Sequence, residues 1–234
     1  MSPPVAIVTG ASQGIGAGLV AGYRGAGYAV VGVARSFPSA AQDESDYVPV
    51  AGDIADEQTA RRAVDEARER FGRIDTLINN AGIYIGKPFT EYTFDEYEAI
   101  TAVNLTGFFH ITQLAIAEMV ARGSGHIVNV STSLVDNADS TRPSALPALA
   151  KGGLVAASRS LAIEYASRGV RVNAVSLGVI KTPAHDPASY AGLEAPLGRL
   201  GEVSDVVDAI LYLERATFVT GETLHVDGGQ AAGR

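Results

Sequence analysis

Cysteine is absent from all 234 residues, which removes disulfides, thiol nucleophiles and cysteine-held metals together. Histidine is scarce. His110, His126, His185 and His225 are scattered without ligand-like spacing, so no metal centre is expected. Basic runs are missing too, and with a formal net charge of −8 the chain has no nucleic-acid-binding signature. The opening "MSPPVAIVTG" has no basic region leading into a long apolar run, so no signal peptide is expected. No stretch of about twenty apolar residues appears, so no membrane span is expected. These absences leave a cytoplasmic protein as the expectation. No linker or repeat divides the chain, and 47% of its residues are apolar, enough for one large core. A single domain over 1–234 follows.

What is present is alternation. Short β-branched runs fall at Pro4–Thr9, Tyr28–Val33, Ile74–Asn79, Gly125–Val130, Val170–Val175 and Thr223–Val226, with a third strand ahead of "AGD" at Asp53. They are nearly continuous in apolar character, as parallel strands covered on both faces are. Helical patterns separate them at Ile15–Arg24, Asp56–Phe71, Phe94–Arg122, Leu146–Ser167 and Val203–Leu213. The alternation predicts an α/β fold, a doubly wound parallel sheet flanked by helices on both faces. Thr182–Gly201, rich in Pro, Ala and Gly, is the one long irregular segment and reads as a flap over about 182–201.

The stretch "VAIVTGASQGIGAGL" sets Gly10, Gly14 and Gly16 directly after the first strand and at the start of the first helix. In that context glycines make a dinucleotide site. Gly10 takes the sharp turn, Gly14 lets backbone approach the pyrophosphate, and Gly16 allows the helix to pack closely on the strand. The helix N-terminus then offers N–H groups to phosphate.

The spacing is T-G-x-x-x-G-x-G, and it resembles the classical short-chain dehydrogenases/reductases. "NNAG" at Asn79–Gly82, Asn104 in "VNLTGFF", "RVNAVSLGVIKT" from Arg171 to Thr182 and "VTGETLHVDGG" from Val219 to Gly229 carry the same resemblance over essentially the whole chain. It implies a Rossmann fold, a nicotinamide cofactor, a small carbonyl or alcohol substrate, and a homodimer or homotetramer. It places Ser12, Gln13 and Ile15 in the glycine loop, Asp53 and Ile54 at the adenine, and Asn80 with Ala81 and Gly82 near the ribose. Ile180 and Thr182 join the cofactor site, Thr182 at the carboxamide. For the second strand's end, an acidic residue would favour a ribose 2′-hydroxyl. Here Ala34 is followed by Arg35 and Ser36, which donate to a 2′-phosphate, so NADP is expected ahead of NAD. Small residues Ala150, Gly152, Gly153, Ala156 and Ala157 permit close helix approach, which suits such an oligomer.

In the resembled family a tyrosine four residues before a lysine exchanges the proton with the substrate oxygen. Lys151 matches that lysine and also holds the nicotinamide ribose. The tyrosine position is Pro147, and no tyrosine occurs from Val120 to Glu164. Mid-helix a proline costs about 3 kcal/mol, so the helix is expected to begin just here with Ser144 as its N-cap. Thr132 or Ser133 corresponds to the family's serine, and Asn104 to its helix asparagine. Three outcomes stay open at this stage. Another group supplies the proton: a water on Lys151 and Asn104, Lys151 itself, Tyr84, Ser144 or His185. Alternatively the substrate needs little acid–base help, or the protein only binds nucleotide as a non-catalytic or scaffold protein.

Overall fold

A computed structural model describes residues 2–38, 43–183 and 192–233. Seven strands form one sheet: β1 Val5–Thr9, β2 Ala29–Ala34, β3 Tyr47–Ala51, β4 Thr76–Asn79, β5 Gly125–Thr132, β6 Val170–Leu177 and β7 Thr223–Val226. All six neighbouring pairs are parallel, in the order β3-β2-β1-β4-β5-β6-β7. The order reverses between β1 and β4, the point where such sheets open a crevice beyond their strand ends.

Helices cover both faces because successive side chains of each buried strand point opposite ways. Val5 and Ile7 of β1 join a core with Ala60 and Ala63 of α2 (Glu57–Glu66). Ile111, Ala115 and Met119 of α4 (Gly107–Arg122) belong to that same core. Ala6 and Val8 join the opposite core, with Leu19 and Tyr23 of α1 (Gly14–Gly25) and Val206 and Ile210 of α6 (Val203–Arg215). The expected helix over 94–122 is three pieces: α3 (Phe94–Thr101), a π-helical turn at Ala102–Thr106, and α4. By length and composition alone this run passes for a membrane-crossing helix. Its Ile111, Ala115 and Met119 are instead fully buried in the sheet's core.

The helix α5 spans Ala145–Tyr165 and packs on β5 and β6. It begins where Pro147 requires, with the proline in the first turn and Ala148 N donating to Ser144 O at 2.8 Å. Proline's missing N–H belongs to a set that has no intrahelical partner there, so it costs little. The Ser144 side chain, however, makes no capping hydrogen bond. Of the predicted flap, 184–191 and His185 with it lie outside the described residues; its far end is tied down by an Ile180–Gly201 bridge.

Candidate active site

A cleft of about 410 Å³ opens at the strand ends between β1 and β4. Its floor is the β1–α1 turn. Gly10 and Gly14 adopt left-handed backbone conformations, φ +70° and +54°, which only glycine takes without strain. A β-carbon on Gly16 would stand 1.9 Å from the Gly10 carbonyl oxygen, so α1 starts as close to β1 as backbone permits. Gln13 stands at the N-cap without a capping side-chain bond, and no acidic residue occupies the first turn. The leading N–H groups and their partial positive charge are therefore left for an anion.

The walls come from other strand ends. Ser12, Gln13 and Ile15 line the glycine-loop side; Arg35 and Ser36 follow β2; Asp53 and Ile54 follow β3. Asn80, Ala81, Gly82 and Thr182 complete the lining. Arg35 is exposed and, among the described residues, has no hydrogen-bond or ion-pair partner. Asp53 accepts from Ala55 N at 2.9 Å, which fixes the turn after β3.

Two expected residues are absent from the lining. Ile180 is 8% exposed and packs with Leu177, Val206 and Ile210. Its apolar side chain is worth more in the core than at a polar ligand. Lys151 lies one layer behind: a β-carbon on Gly82 would stand 2.8 Å from its Nζ and 3.2 Å from Asn104 Oδ1. Gly82 thus forms the partition between the cleft and this amine. Asn80 lines the cleft, but its Nδ2 donates to Thr9 O at 2.9 Å, so its amide braces the glycine loop.

Lys151 Nζ donates to the Val130 carbonyl at 2.8 Å. Burial pushes its pKa down to about 8, because the charged form loses hydration without a carboxylate to replace it. Asn104 sits in the π-helical turn and is 1% exposed. Its Oδ1 accepts from Ile83 N at 2.9 Å and its Nδ2 donates to Ile83 O at 3.0 Å. An insertion of this kind turns a helical side chain toward a site.

The hydroxyl candidates separate. Thr132 ends β5 and its Oγ1 accepts from Leu134 N at 3.4 Å. Ser133 is 4% exposed, yet it borders a second cavity of about 550 Å³ together with Arg142 and Gln230. The loop that carries it is anchored by Asp136, which accepts from Ser176 Oγ at 3.0 Å and pairs with His225 Nε2 at 3.1 Å. Leu177, where the resembled family has proline, ends β6 and is buried.

Some functional positions escaped sequence reasoning. Thr9 Oγ1 accepts from both Asn80 N and Ala81 N, at 3.1 and 3.0 Å, stitching β4's exit to β1. The threonine of the T-G pair was the available signal. The Val130 carbonyl that receives Lys151 carries no side-chain signal at all. Tyr84 and Ser144, two of the candidate proton sources, stand 2.6 Å apart, oxygen to oxygen. Among the described residues no cluster of His, Asp or Glu suits a metal.

Residues 10–231 match the family model described as enoyl-(acyl carrier protein) reductase. The 3-oxoacyl-[acyl-carrier-protein] reductase FabG of Escherichia coli is 34% identical over 237 residues, covering 96% of each chain. The cis-4-hydroxycyclohexanecarboxylate dehydrogenase of Sinomonas cyclohexanicum is 38% identical over 244 residues, covering 97% of this chain and 96% of its own. The solved structure of ElxO with NADP bound superposes with a TM-score of 0.90 at 27% identity, covering both chains fully. With glycine loop, lysine and asparagine in place, the chain belongs to the classical short-chain dehydrogenase/reductase family of oxidoreductases.

Proposed function

We propose that the protein moves hydride between NADP(H) and a small carbonyl or alcohol substrate. The observation that carries this is the 410 Å³ cleft, with an uncapped helix N-terminus at its floor and, at its rim, Arg35, unpaired among the described residues. The donor set fits a nicotinamide dinucleotide. Uncapped N–H groups of α1 take the diphosphate, Arg35 and Ser36 take a ribose 2′-phosphate, and Asp53 with Ile54 flank the adenine. Lys151, as an ammonium, holds the nicotinamide ribose past Gly82, and Thr182 meets the carboxamide. When bound, that group supplies or accepts the hydride. The chain's own work is to orient it, exclude water behind Gly82 and manage a proton. The structure of ElxO with NADP bound is in keeping with this cofactor, and NAD is the weaker alternative.

A second reading has Pro147 in its favour: a nucleotide-binding or scaffold protein without turnover. Loss of a general acid or base costs about 10² to 10⁴ in rate. Positioning alone still leaves measurable hydride transfer. The two readings separate on a panel of carbonyl substrates with NADPH and NADH, followed by absorbance, beside calorimetric titration of both nucleotides. Turnover with NADPH supports the oxidoreductase; tight binding without turnover across the panel overturns it.

Exposed Phe109 on α4 and Ile163 on α5 (54% and 80%) support association of α4 and α5 with a second copy, in a homodimer or homotetramer. A cytoplasmic location belongs to the same proposal, in keeping with an acidic, cysteine-free chain.

A further inference from the structure

We propose that Tyr84 supplies the substrate proton that Pro147 does not carry; this rests on the carbonyl-reducing reading above. Ser144, Pro147 and Lys151 follow one another at i, i+3 and i+7, so they share one face of α5 and its entry. Pro147, one turn before the lysine, offers no proton. Tyr84 reaches the same stripe from the segment after β4. It follows by two residues Gly82, where a β-carbon would stand 2.8 Å from Lys151 Nζ. Between them, both backbone polar groups of Ile83 are clamped by Asn104. Lysine, asparagine and phenol are thus set on one short stretch of chain.

The phenol's partner is specific. Tyr84 Oη lies 2.6 Å from Ser144 Oγ, and Ser144 Oγ lies 2.7 Å from the Arg142 carbonyl. A carbonyl only accepts, so Ser144 spends its proton there and the phenol donates to Ser144. Gly86 makes room: a β-carbon there would stand 2.6 Å from the phenol oxygen. Tyr84 is 55% exposed, so substrate and solvent both reach it. Arg142, at the end of this relay, borders the same 550 Å³ cavity as Ser133.

The proton step balances as follows. A reduced nicotinamide nucleotide held in the cleft would supply hydride to the carbonyl carbon, and the carbonyl π pair would move onto oxygen. Tyr84 turns from Ser144, its O–H bond breaks, and the proton forms the product's O–H bond. Ser144 then donates to the phenolate in place of the Arg142 carbonyl, and solvent returns the proton to Tyr84. Oxidation runs the same steps in reverse.

The test compares Tyr84→Phe, Ser144→Ala, Pro147→Tyr and Tyr84→Phe/Pro147→Tyr in the full chain. Tyr84→Phe should lose about 10² to 10⁴ in kcat with NADPH affinity unchanged by fluorescence titration. Ser144→Ala, a positioning change, should lose less and shift the alkaline limb of the pH–rate profile. The double variant should regain activity over Tyr84→Phe, since a phenol one turn before Lys151 bypasses the need for Tyr84. Tyrosine fluorescence of wild type against Tyr84→Phe gives a readout apart from turnover: NADP⁺ should quench a component that Tyr84→Phe lacks. An active wild type with Tyr84→Phe equal to it in rate and pH profile overturns this inference and leaves the proposed function standing. A wild type that binds NADPH without turnover overturns the function. NADP⁺ quenching that is equal in wild type and Tyr84→Phe then overturns Tyr84's placement as well.

Discussion

Lys151 Nζ donates to the Val130 carbonyl at 2.8 Å, and among the described residues no carboxylate pairs with it. That makes it a costly residue to keep. Its pKa falls from 10.5 to about 8 by burial, so between those values the unfolded chain holds the proton and the folded one does not. Stability therefore rises with pH across about 8 to 10.5, and below 8 the full penalty applies, up to about 3 kcal/mol. Lys151→Met should raise the Tm at neutral pH and lose that advantage as pH nears 10.5. The same variant should bind NADPH more weakly. Thermal scans at pH 7 and pH 10 check the first point; a destabilised variant at pH 7 would show that the ammonium is paired better than the structure indicates.

Gly16 tests the floor of the cleft. A β-carbon there would meet backbone, the Gly10 carbonyl oxygen and carbon, at 1.9 and 2.6 Å. Backbone yields less readily than a side-chain tip, so Gly16→Ala must push α1 off β1. A destabilisation of about 1–3 kcal/mol is expected, with nucleotide affinity reduced in parallel. Urea denaturation and calorimetric titration read the two effects. Unchanged nucleotide binding would mean that the turn does not hold the diphosphate.

Arg35 distinguishes the two nicotinamide cofactors. Its guanidinium is exposed and unpaired among the described residues, so its removal breaks no contact among them. Arg35→Ala should raise the Kd for NADPH by about tenfold or more, as loss of a charge-assisted pair does, and leave that for NADH nearly unchanged. Equal losses for both nucleotides would refute the 2′-phosphate contact.

Much of this was legible in the sequence because its signals are local. The glycine spacing, the apolar strands and the helix start forced by Pro147 each follow from neighbouring residues, and each stands in the structure. What escaped depends on residues far apart. Ile180 sits two residues before Thr182 in a family motif, yet sequence does not tell which of them turns inward. The π-helical turn at Asn104 arises from its bonds to Ile83, 21 residues earlier. Ser144 has the composition of an N-cap, but the incoming Tyr84 and the Arg142 carbonyl outcompete the helix for its hydroxyl.

Glu214 was invisible for the same reason and allows a prediction remote from the cleft. At the end of α6 its Oε2 accepts from Tyr23, Thr76 and His126 at 3.0, 2.9 and 3.0 Å, and its Oε1 from Tyr28 at 3.2 Å. Burial pushes this carboxyl's pKa up, but the bonds from His126, Thr76 and Tyr23 outweigh that and leave it below the usual value. Burial also pushes His126 down, so the imidazole stays neutral. Both groups bind fewer protons folded than unfolded. Stability from the pair is thus present near neutrality, falls as pH drops below the ordinary histidine value of about 6.5, and falls further through the carboxylate range. Glu214→Ala leaves four donors without their acceptor and should cost at least about 1–3 kcal/mol, the desolvation penalty of a buried polar group left unsatisfied. Glu214→Gln keeps an acceptor, should cost less, and should flatten the acid limb. Urea midpoints from pH 4 to 8 read both effects, while NADPH affinity at a temperature where the variants are folded should match wild type. A Glu214→Gln profile as steep as wild type would assign the acid sensitivity to other groups.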